Sequence, residues 1–467
     1  MWARDLVDEA LVRTHQIRRW NFTKLAAKLR RTLCFIRLEL IRELLVPRFI
    51  HAADIHLDSP LRGLEAYEGA PIERLRGATR QALTKLVDLC LSERVNFLVI
   101  AGDVFDADWK DFQTALFVTR ELRRLERAEI PVFLIFGNHD SVEGMSKKTP
   151  WPSNVRVFDH KRPETMKLDS VRVAIHGRSF PRREVLENWV PDYPSPVPGW
   201  FNLGLLHTNA DGSPNHDSYA PCSVNELAAK GYSYWALGHV HDIAVLNERP
   251  HVVYSGNLQG RHVRELGPKG CVLVEFEDSE VTGIEFRSTD VLRWFHETVT
   301  LQPQDSRDDM LQSIRQCLTD AQTAADGRLA AVRLEIAGRC QLHAELVSDA
   351  ARQQTMNDIR ALAGEVGDDV WIEKIKFRTQ SPLDVEQLRL RNDHVGELLR
   401  LISEIARDPE RLKSLADELK PLVTKVSGDL RDAPRGESLD FESPEQLASW
   451  LKEAESLLVN RLVEAVS

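Results

Sequence analysis

The chain has 467 residues, of which 43% are hydrophobic and 28% charged, and this is the composition of a globular protein with several domains. No apolar run approaches the roughly 20 residues that a membrane helix needs, so we exclude a transmembrane protein. The six cysteines are scattered without a CxxC pair, which predicts free thiols and a cytoplasmic location and excludes zinc-finger and thioredoxin sites. The formal net charge is −10, so nucleic acid could bind only through local basic patches, bound cations or a partner.

The first 47 residues are basic and helix-prone, with ten Lys or Arg against five Asp or Glu. The segment lacks the compact apolar core and the cleavage site of a secretory signal. Its acidic residues also argue against a transit sequence. We expect residues 1–47 to be an extension that is not part of the fold.

From residue 48 onward, strand and helix patterns alternate, which predicts a parallel sheet covered by helices. Strands are predicted at 48–50, 97–100 and 131–136, and helices at 72–93 and 110–127. Five further strands follow at 171–175, 203–206, 234–237, 252–254 and 271–276. We assign these elements to a first domain that covers residues 48–296.

A second, smaller α/β domain is predicted over residues 297–378. Its strands are expected at 294–301, 331–336 and 370–377, and its helices at 309–321 and 350–365. Residues 379–467 are helical and rich in leucine, and the sequence SPEQ at 443–446 has the form of a capping box at the start of a helix.

The strands of the first domain end in polar residues that can bind metals. In open α/β sheets, sites form beyond the carboxyl ends of strands, so we expect these side chains to converge. In an extended segment, residues i and i+2 also point to the same side. The candidate ligands are Asp54, His56, Asp103, Asn138, His207, His239 and His241, and His139 and Asp140 lie directly beside Asn138.

This donor set combines imidazole nitrogen with carboxylate and amide oxygen, which suits manganese, iron or zinc. Seven donors exceed what a single tetrahedral site takes, whereas two ions that share one carboxylate account for all of them. We expect Asp103 to be the bridging carboxylate. Each motif alone is more often a turn, a helix cap or a pair of structural histidines, but five motifs at five strand ends favour a dinuclear site.

The order D-x-H, GD-x-x-D, GNHD, H and GH-x-H resembles that of the calcineurin-like metallophosphoesterase superfamily. The sequence GDVFD and the small second domain resemble the SbcD-like DNA repair exonucleases. The stretches ADIHLDSPL, LLHTN and GNLQGRHVRELGPKGC are similar to the YhaO branch of these enzymes. The resemblance implies a metallophosphoesterase β-sandwich flanked by helices, a small α/β capping domain and a helical C-terminal region.

The resemblance also implies a role for each residue at the strand ends. One metal would be held by Asp54, His56, Asp103 and His241, and the other by Asp103, Asn138, His207 and His239. His139 matches the catalytic histidine, which steadies the phosphate or protonates the leaving oxygen, and Asp140 would orient it. The sequence departs from the family pattern at Ile55, Asp58 and Asp106, which border the expected DNA path.

The resemblance leads to one main functional hypothesis and two alternatives. The chain would be a hydrolase that uses two divalent ions, expected to be manganese, to direct hydroxide at the phosphodiester bonds of DNA, as an exonuclease in DNA repair. The first alternative is a general metallophosphoesterase that acts on small phosphate esters or cyclic nucleotides. The second is a non-enzymatic assembly subunit.

Two further regions are candidates for binding partners. Arg261, His262 and Arg264 would contact DNA phosphates, or else pair with Glu265 on a solvated loop. The helical region 379–467 would dock a coiled-coil ATPase of the SbcC or YhaN kind, pack a homodimer, or cover its own domain.

Overall fold

The computed structural model describes residues 46–59, 69–106, 112–141, 149–212, 219–382, 385–423 and 443–464. The predicted extension lies outside the described residues except for its last two positions. The chain divides into two compact units. The first unit combines Met1–Pro60, Thr79–Gln259 and Lys269–Thr289, and the second combines Leu61–Ala78, Gly260–Pro268 and Asp290–Ser467.

The described part of the first unit contains two six-stranded sheets. In chain order the strands are β1 (Arg48–Ala52), β2 (Phe97–Ala101), β3 (Val132–Ile135), β4 (Val155–Val157), β5 (Glu164–Leu168), β6 (Val173–Gly177), β7 (Phe201–His207), β8 (Tyr234–Gly238), β9 (Ala244–Glu248), β10 (His251–Tyr254), β11 (Gly270–Glu277) and β12 (Glu280–Ser288). The first sheet has the order β12-β11-β1-β2-β3-β4, and the second has the order β5-β6-β7-β8-β10-β9. Strands β1 to β4 are parallel to one another, as are β6, β7, β8 and β10.

The central strands are buried on both faces, which explains why they read as continuous apolar runs. One core lies between the two sheets and is rich in aromatic rings, among them Phe49, Phe97 and Phe201. A second core lies between the first sheet and two helices, α1 (Ile72–Ser92) and α2 (Phe112–Arg127). The short helix α3 (Val224–Ala229) contributes Leu227 to a third core on the outer face of the second sheet.

This arrangement confirms the predicted fold class of β-sheets flanked by helices. The predicted strands and helices are present, with ends displaced by a few residues. Four strands that the sequence did not predict are β4, β5, β9 and β12, and each lies at the edge of a sheet. Edge strands are partly exposed, so they lack the apolar runs by which buried strands are recognised.

The second unit contains a parallel three-stranded sheet with a helical region after it. Its elements are β13 (Leu292–Leu301), α4 (Arg307–Ala325), β14 (Leu329–Arg339), α5 (His343–Val347), α6 (Asp349–Val366), β15 (Val370–Gln380), α7 (Val385–Arg389), α8 (His394–Arg407), α9 (Pro409–Val423) and α10 (Pro444–Glu464). The sheet order is β13-β14-β15. Two early segments of the chain also belong to this unit, because Leu75 and Val263 pack in one cluster with Trp294 and Trp371.

Two further findings concern the membrane and the cysteines. No helix in the described ranges is both long enough and apolar enough to cross a membrane. The five cysteines within these ranges are free thiols, as the sequence predicts, and Cys34 lies outside them.

Glycine at position 238 is required by the close approach of the two sheets. A Cβ atom on Gly238 would lie 2.0 Å from the carbonyl oxygen of Ala101, a main-chain contact that no rotamer change relieves. We therefore expect Gly238→Ala to lower the free energy of unfolding by about 2–3 kcal/mol in urea denaturation. The control is Gly364→Ala on helix α6, where the added atom meets nothing within 4 Å and stability should rise by about 0.5–1 kcal/mol. Equal effects of the two substitutions would contradict the close approach.

Candidate metal centre

Five strand ends bring the predicted ligands together within the first unit. They are the ends of β1, β2, β3, β7 and β8, and they carry Asp54, His56, Asp103, Asn138, His207, His239 and His241. The loop after β1 stays paired with the end of β2, because the amides of Asp54 and His56 donate to the carbonyls of Gly102 and Asp103 at 3.1 and 3.0 Å. The ligand atoms in this region form three overlapping sets, each with its atoms within 4.8 Å of one another. They are Asp54, His56 and His241; Asp54, Asp103 and His207; and His56, Asp106 and His139.

The backbone is turned, not extended, where these side chains converge. Asp54, His56, Asp103 and His239 have φ angles of 50°, 44°, 53° and 99°, in the left-handed region that residues other than glycine rarely adopt. The expected i and i+2 geometry of an extended segment is therefore wrong as the reason for convergence. Such backbone conformations concentrate at functional sites, where the surrounding structure holds them in place.

The first group of donors contains Asp54, His56 and His241. The Nε2 atoms of His56 and His241 lie 3.3 Å apart, and each is 3.9 Å from Asp54 Oδ1. The main-chain amide of His239 donates to both oxygens of the Asp54 carboxylate, at 3.1 and 2.9 Å. The end of the second sheet thus fixes a carboxylate that belongs to the first sheet.

A second group of donors is defined by the contact between His207 and Asn138. His207 Nδ1 lies 2.9 Å from the carbonyl oxygen of Ala101, which can only accept, so Nδ1 carries the proton. Burial lowers the pKa of His207, although the charge of Asp103 opposes this shift, and a neutral ring has a lone pair on Nε2. That lone pair faces Asn138 Oδ1 at 2.8 Å and Asp103 Oδ2 at 3.5 Å.

His239 lies beside the second group, whereas His241 belongs to the first. The rings of His207 and His239 have centroids 5.3 Å apart. The ring of His241 instead lies 5.1 Å from that of His56. The two histidines of the GHVH motif therefore face different groups of donors.

The Asp103 carboxylate lies between the two groups. Its Oδ2 atom is 3.7 Å from His56 Nε2 and 3.5 Å from His207 Nε2. Its Oδ1 atom accepts the main-chain amide of His139 at 2.9 Å, which fixes the orientation of the carboxylate. A single oxygen atom therefore faces one histidine from each group, an arrangement that would allow it to bridge two ions.

The chemistry of this cluster fits divalent cations. Asn138 Oδ1 and Asp103 Oδ2 face the lone pair of His207 Nε2, and the Nε2 atoms of His56 and His241 lie near the Asp54 carboxylate. The side chains of Asp54 and Asp103 are almost completely buried, and buried carboxylates need a compensating charge. Cations placed among these atoms would satisfy the acceptors and neutralise the carboxylates.

Asp140 has partners different from those that the sequence predicts. Its carboxylate accepts the main-chain amides of Gly137 and Val104, both at 2.7 Å, and that of Asp103 at 3.3 Å. Burial, followed by the negative charge of Asp103, raises the pKa of Asp140 to about 7. Asp140 thus links the end of β3 to the end of β2 through hydrogen bonds with main-chain amides.

The carboxylate beside the His139 ring is that of Asp106. Asp106 Oδ1 lies 3.3 Å from His139 Nδ1, and Asp106 Oδ2 accepts the Ser59 hydroxyl at 2.8 Å. The His139 side chain is 27% exposed, so it is accessible from solvent, while its ring packs edge-on against His56. The position of Asp106, three residues after Asp103 in GDVFD, is the sequence signal that could have identified this pair.

The predicted DNA-contacting loop belongs to the second unit, and the cluster of ligands belongs to the first. Arg261 pairs with Glu265 within its own loop, through its main-chain amide at 2.7 Å and its guanidinium at 2.9 Å. His262 and Arg264 are exposed, and the amide of Arg264 donates to His262 Nδ1 at 3.3 Å. These contacts match the alternative of a solvated loop that pairs with Glu265.

Two known families match parts of this chain. Residues 47–242 match the calcineurin-like phosphoesterase family, and residues 294–380 match the middle domain of metallophosphoesterase YhaO. The chain contains a calcineurin-like metallophosphoesterase domain. The predicted resemblance to this superfamily is confirmed, and the phosphoesterase match covers all seven candidate ligands.

Individual relatives are similar over about half of the chain. The uncharacterized metallophosphoesterase YhaO of Bacillus subtilis is 37% identical over 248 residues, which cover 52% of this chain and 61% of YhaO. The DNA double-strand break repair protein Mre11 of Methanopyrus kandleri is 26% identical over 51% of this chain and 56% of its own length. One component of the nuclease SbcCD of Staphylococcus saprophyticus is 25% identical over 50% of this chain and 67% of its own length.

Among solved structures, a dimetal phosphatase from Danio rerio matches 52% of this chain and 96% of its own. The sequence identity is 12% and the TM-score is 0.32, which is a weak overall likeness.

Metal analysis of purified variants tests the assignment of the two groups. We expect about two ions per chain in the unaltered protein, about one after His241→Gln or His207→Gln, and well under one after Asp103→Asn, because Asp103 faces both groups. The measurement is manganese content after equilibrium dialysis, by mass spectrometry. The control is His176→Gln, a buried histidine that contacts Thr165 and Asn202 on the second sheet and should leave the content unchanged.

The contacts of Asp140 predict a structural effect that Asp106 should not have. Asp140→Ala removes the acceptor of three buried main-chain amides, so the free energy of unfolding should fall by about 3 kcal/mol or more. Asp106→Ala should lower it by under about 1 kcal/mol, because the contacts of Asp106 described above are all with side chains. Urea denaturation of the metal-free proteins measures both values, and similar losses would contradict the separate roles.

Proposed function

We propose that this protein is a dinuclear-metal-dependent phosphodiesterase that acts on DNA as an exonuclease in repair. The observation that carries the proposal is the Asp103 carboxylate, whose single Oδ2 atom faces His56 and His207 at 3.7 and 3.5 Å. Asp103 would be shared by two ions, the first held also by Asp54, His56 and His241, and the second by Asn138, His207 and His239. Two such ions would neutralise the phosphate oxygens and lower the pKa of a bound water.

His139 is proposed to act on the substrate itself. Its ring is partly exposed beside the candidate ligands, and Asp106 lies at 3.3 Å from Nδ1. A proton on Nδ1 that is shared with Asp106 fixes the ring orientation and stabilises the protonated imidazole. The Nε2–H group can then donate to a phosphate oxygen or to the leaving oxygen of the phosphodiester. Asp106 takes the orienting role that the sequence assigns to Asp140.

The choice of DNA as the substrate rests on the relatives. Two of them are named as a DNA double-strand break repair protein and as part of a nuclease, and each aligns with about half of this chain. Manganese is the expected metal because the donors mix imidazole with carboxylate and amide oxygen. Arg261, His262 and Arg264 stay predicted DNA contacts. We also propose that the helical region 379–467 binds a coiled-coil ATPase of the SbcC or YhaN kind or a second copy of this chain.

Nuclease assays with manganese test the proposal. The purified protein should degrade linear duplex or single-stranded DNA, and His139→Asn should lower the rate by about a hundredfold or more while the manganese content stays at the unaltered level. Gel assays of end-labelled DNA measure the rate, and p-nitrophenyl phosphate is the comparison substrate. Hydrolysis of the small ester alone, with no DNA degraded even when the candidate ATPase is added, would favour the general phosphoesterase instead. Two bound ions without hydrolysis of any phosphate ester would favour an assembly role.

A further inference from the structure

A buried lysine lies behind one of the candidate ligands, outside the set that would touch metal or substrate. Lys269 immediately precedes β11, and only 3% of the residue is exposed. Its ammonium group donates to the main-chain carbonyl of His241 at 3.0 Å and pairs with Asp242 Oδ1 at 2.5 Å. Burial of an ammonium group is unfavourable unless such partners compensate for the lost water.

The ion pair with Asp242 does not by itself account for a buried charge. The Asp242 side chain is 76% exposed, and a pair with such a partner contributes little to stability because water screens it. Replacement of a whole buried ion pair by apolar side chains is often neutral or stabilising, so a charge at this position is not required for packing alone. The remaining contact of the ammonium group, to the carbonyl oxygen of His241, also requires a donor and is made with the main chain.

Two donors hold that carbonyl, and a glycine leaves room for it. The main-chain amide of Asn257 donates to it at 3.2 Å, in addition to the Lys269 ammonium group. On another side, Gly256 has φ of 73°, and a Cβ atom there would lie 2.9 Å from the same oxygen. Strand β8 ends at Gly238, so His241 lies beyond the strand. It belongs to none of the described strand pairings.

The restraint matters because His241 enters the cluster from a bend in the chain. Its ring places Nε2 at 3.3 Å from His56 Nε2 and 3.9 Å from Asp54 Oδ1. Rotation of the peptide after His241 would move this ring relative to donors that are themselves fixed by main-chain hydrogen bonds. A group that holds a ligand in place usually affects metal affinity by about 10–100-fold.

We propose that Lys269 is a positioning residue of the metal centre, which fixes the His241 main chain and thereby sets the affinity of the ion held by Asp54, His56 and His241. The inference rests on the proposed ligand role of His241. It assigns to Lys269 no contact with metal, substrate or reacting atoms.

Manganese titration of the metal-free full-length protein tests the role of Lys269. Lys269→Met keeps the length of the side chain and removes the donor, so we expect one of the two ions to bind about tenfold or more weakly while the other keeps its affinity. Calorimetry gives the two affinities, and electron paramagnetic resonance should show loss of the coupled manganese pair at concentrations that saturate the unaltered protein. Urea denaturation of the metal-free variant should give a stability close to that of the unaltered protein.

The chain offers a matched control and a second perturbation. Lys230 also donates to a main-chain carbonyl, that of Pro191 at 3.1 Å, so Lys230→Met should leave both affinities unchanged. Gly256→Ala pushes on the His241 carbonyl from another side and should weaken the same ion, which keeps the test valid if Lys269→Met does not fold. Unchanged affinities in Lys269→Met and Gly256→Ala, or equal losses at both ions, would overturn the proposal. If His241→Gln itself left both ions bound, the proposed ligand set would fail instead.

Discussion

The position of the Asp103 carboxylate is the constraint on which the rest of the site depends. It is buried, and one of its oxygens faces a histidine from each of two groups of donors. A negative charge in this environment needs positive charge nearby, and the surrounding side chains are mostly acceptors. The main-chain amide of His139 fixes its orientation, and the other candidate ligands lie around it.

The fold supplies that placement through main-chain contacts between strand ends. Asp140 accepts the amides at the ends of β2 and β3, and the amide of His239 at the end of β8 holds Asp54. The carbonyl of Ala101 at the end of β2 orients His207 from the second sheet. These bonds cross between strands and between sheets, so the two sheets must pack before the ligands can converge.

The sequence predicted the buried central strands better than the strands at the edges of the sheets. Central strands such as β2 and β7 are apolar throughout and could be recognised, whereas the edge strands β4, β5, β9 and β12 could not, because each is partly solvated. The grouping of the chain into units also depends on distant contacts. Val263 and Leu75 belong with Trp294 and Trp371, a cluster that no local pattern reveals.

For the site, the sequence by itself determined which residues could serve, because carboxylates, amides and imidazoles at strand ends have few other common uses in such numbers. Only the tertiary structure decided which neighbours these side chains contact and how the backbone turns to present them. It placed Asp106 beside the His139 ring and Asp140 against main-chain amides, and it replaced the expected extended geometry by left-handed turns. The physical reason is that chemical identity belongs to the residue, whereas direction and partnership depend on backbone angles and on contacts between strands far apart in the chain.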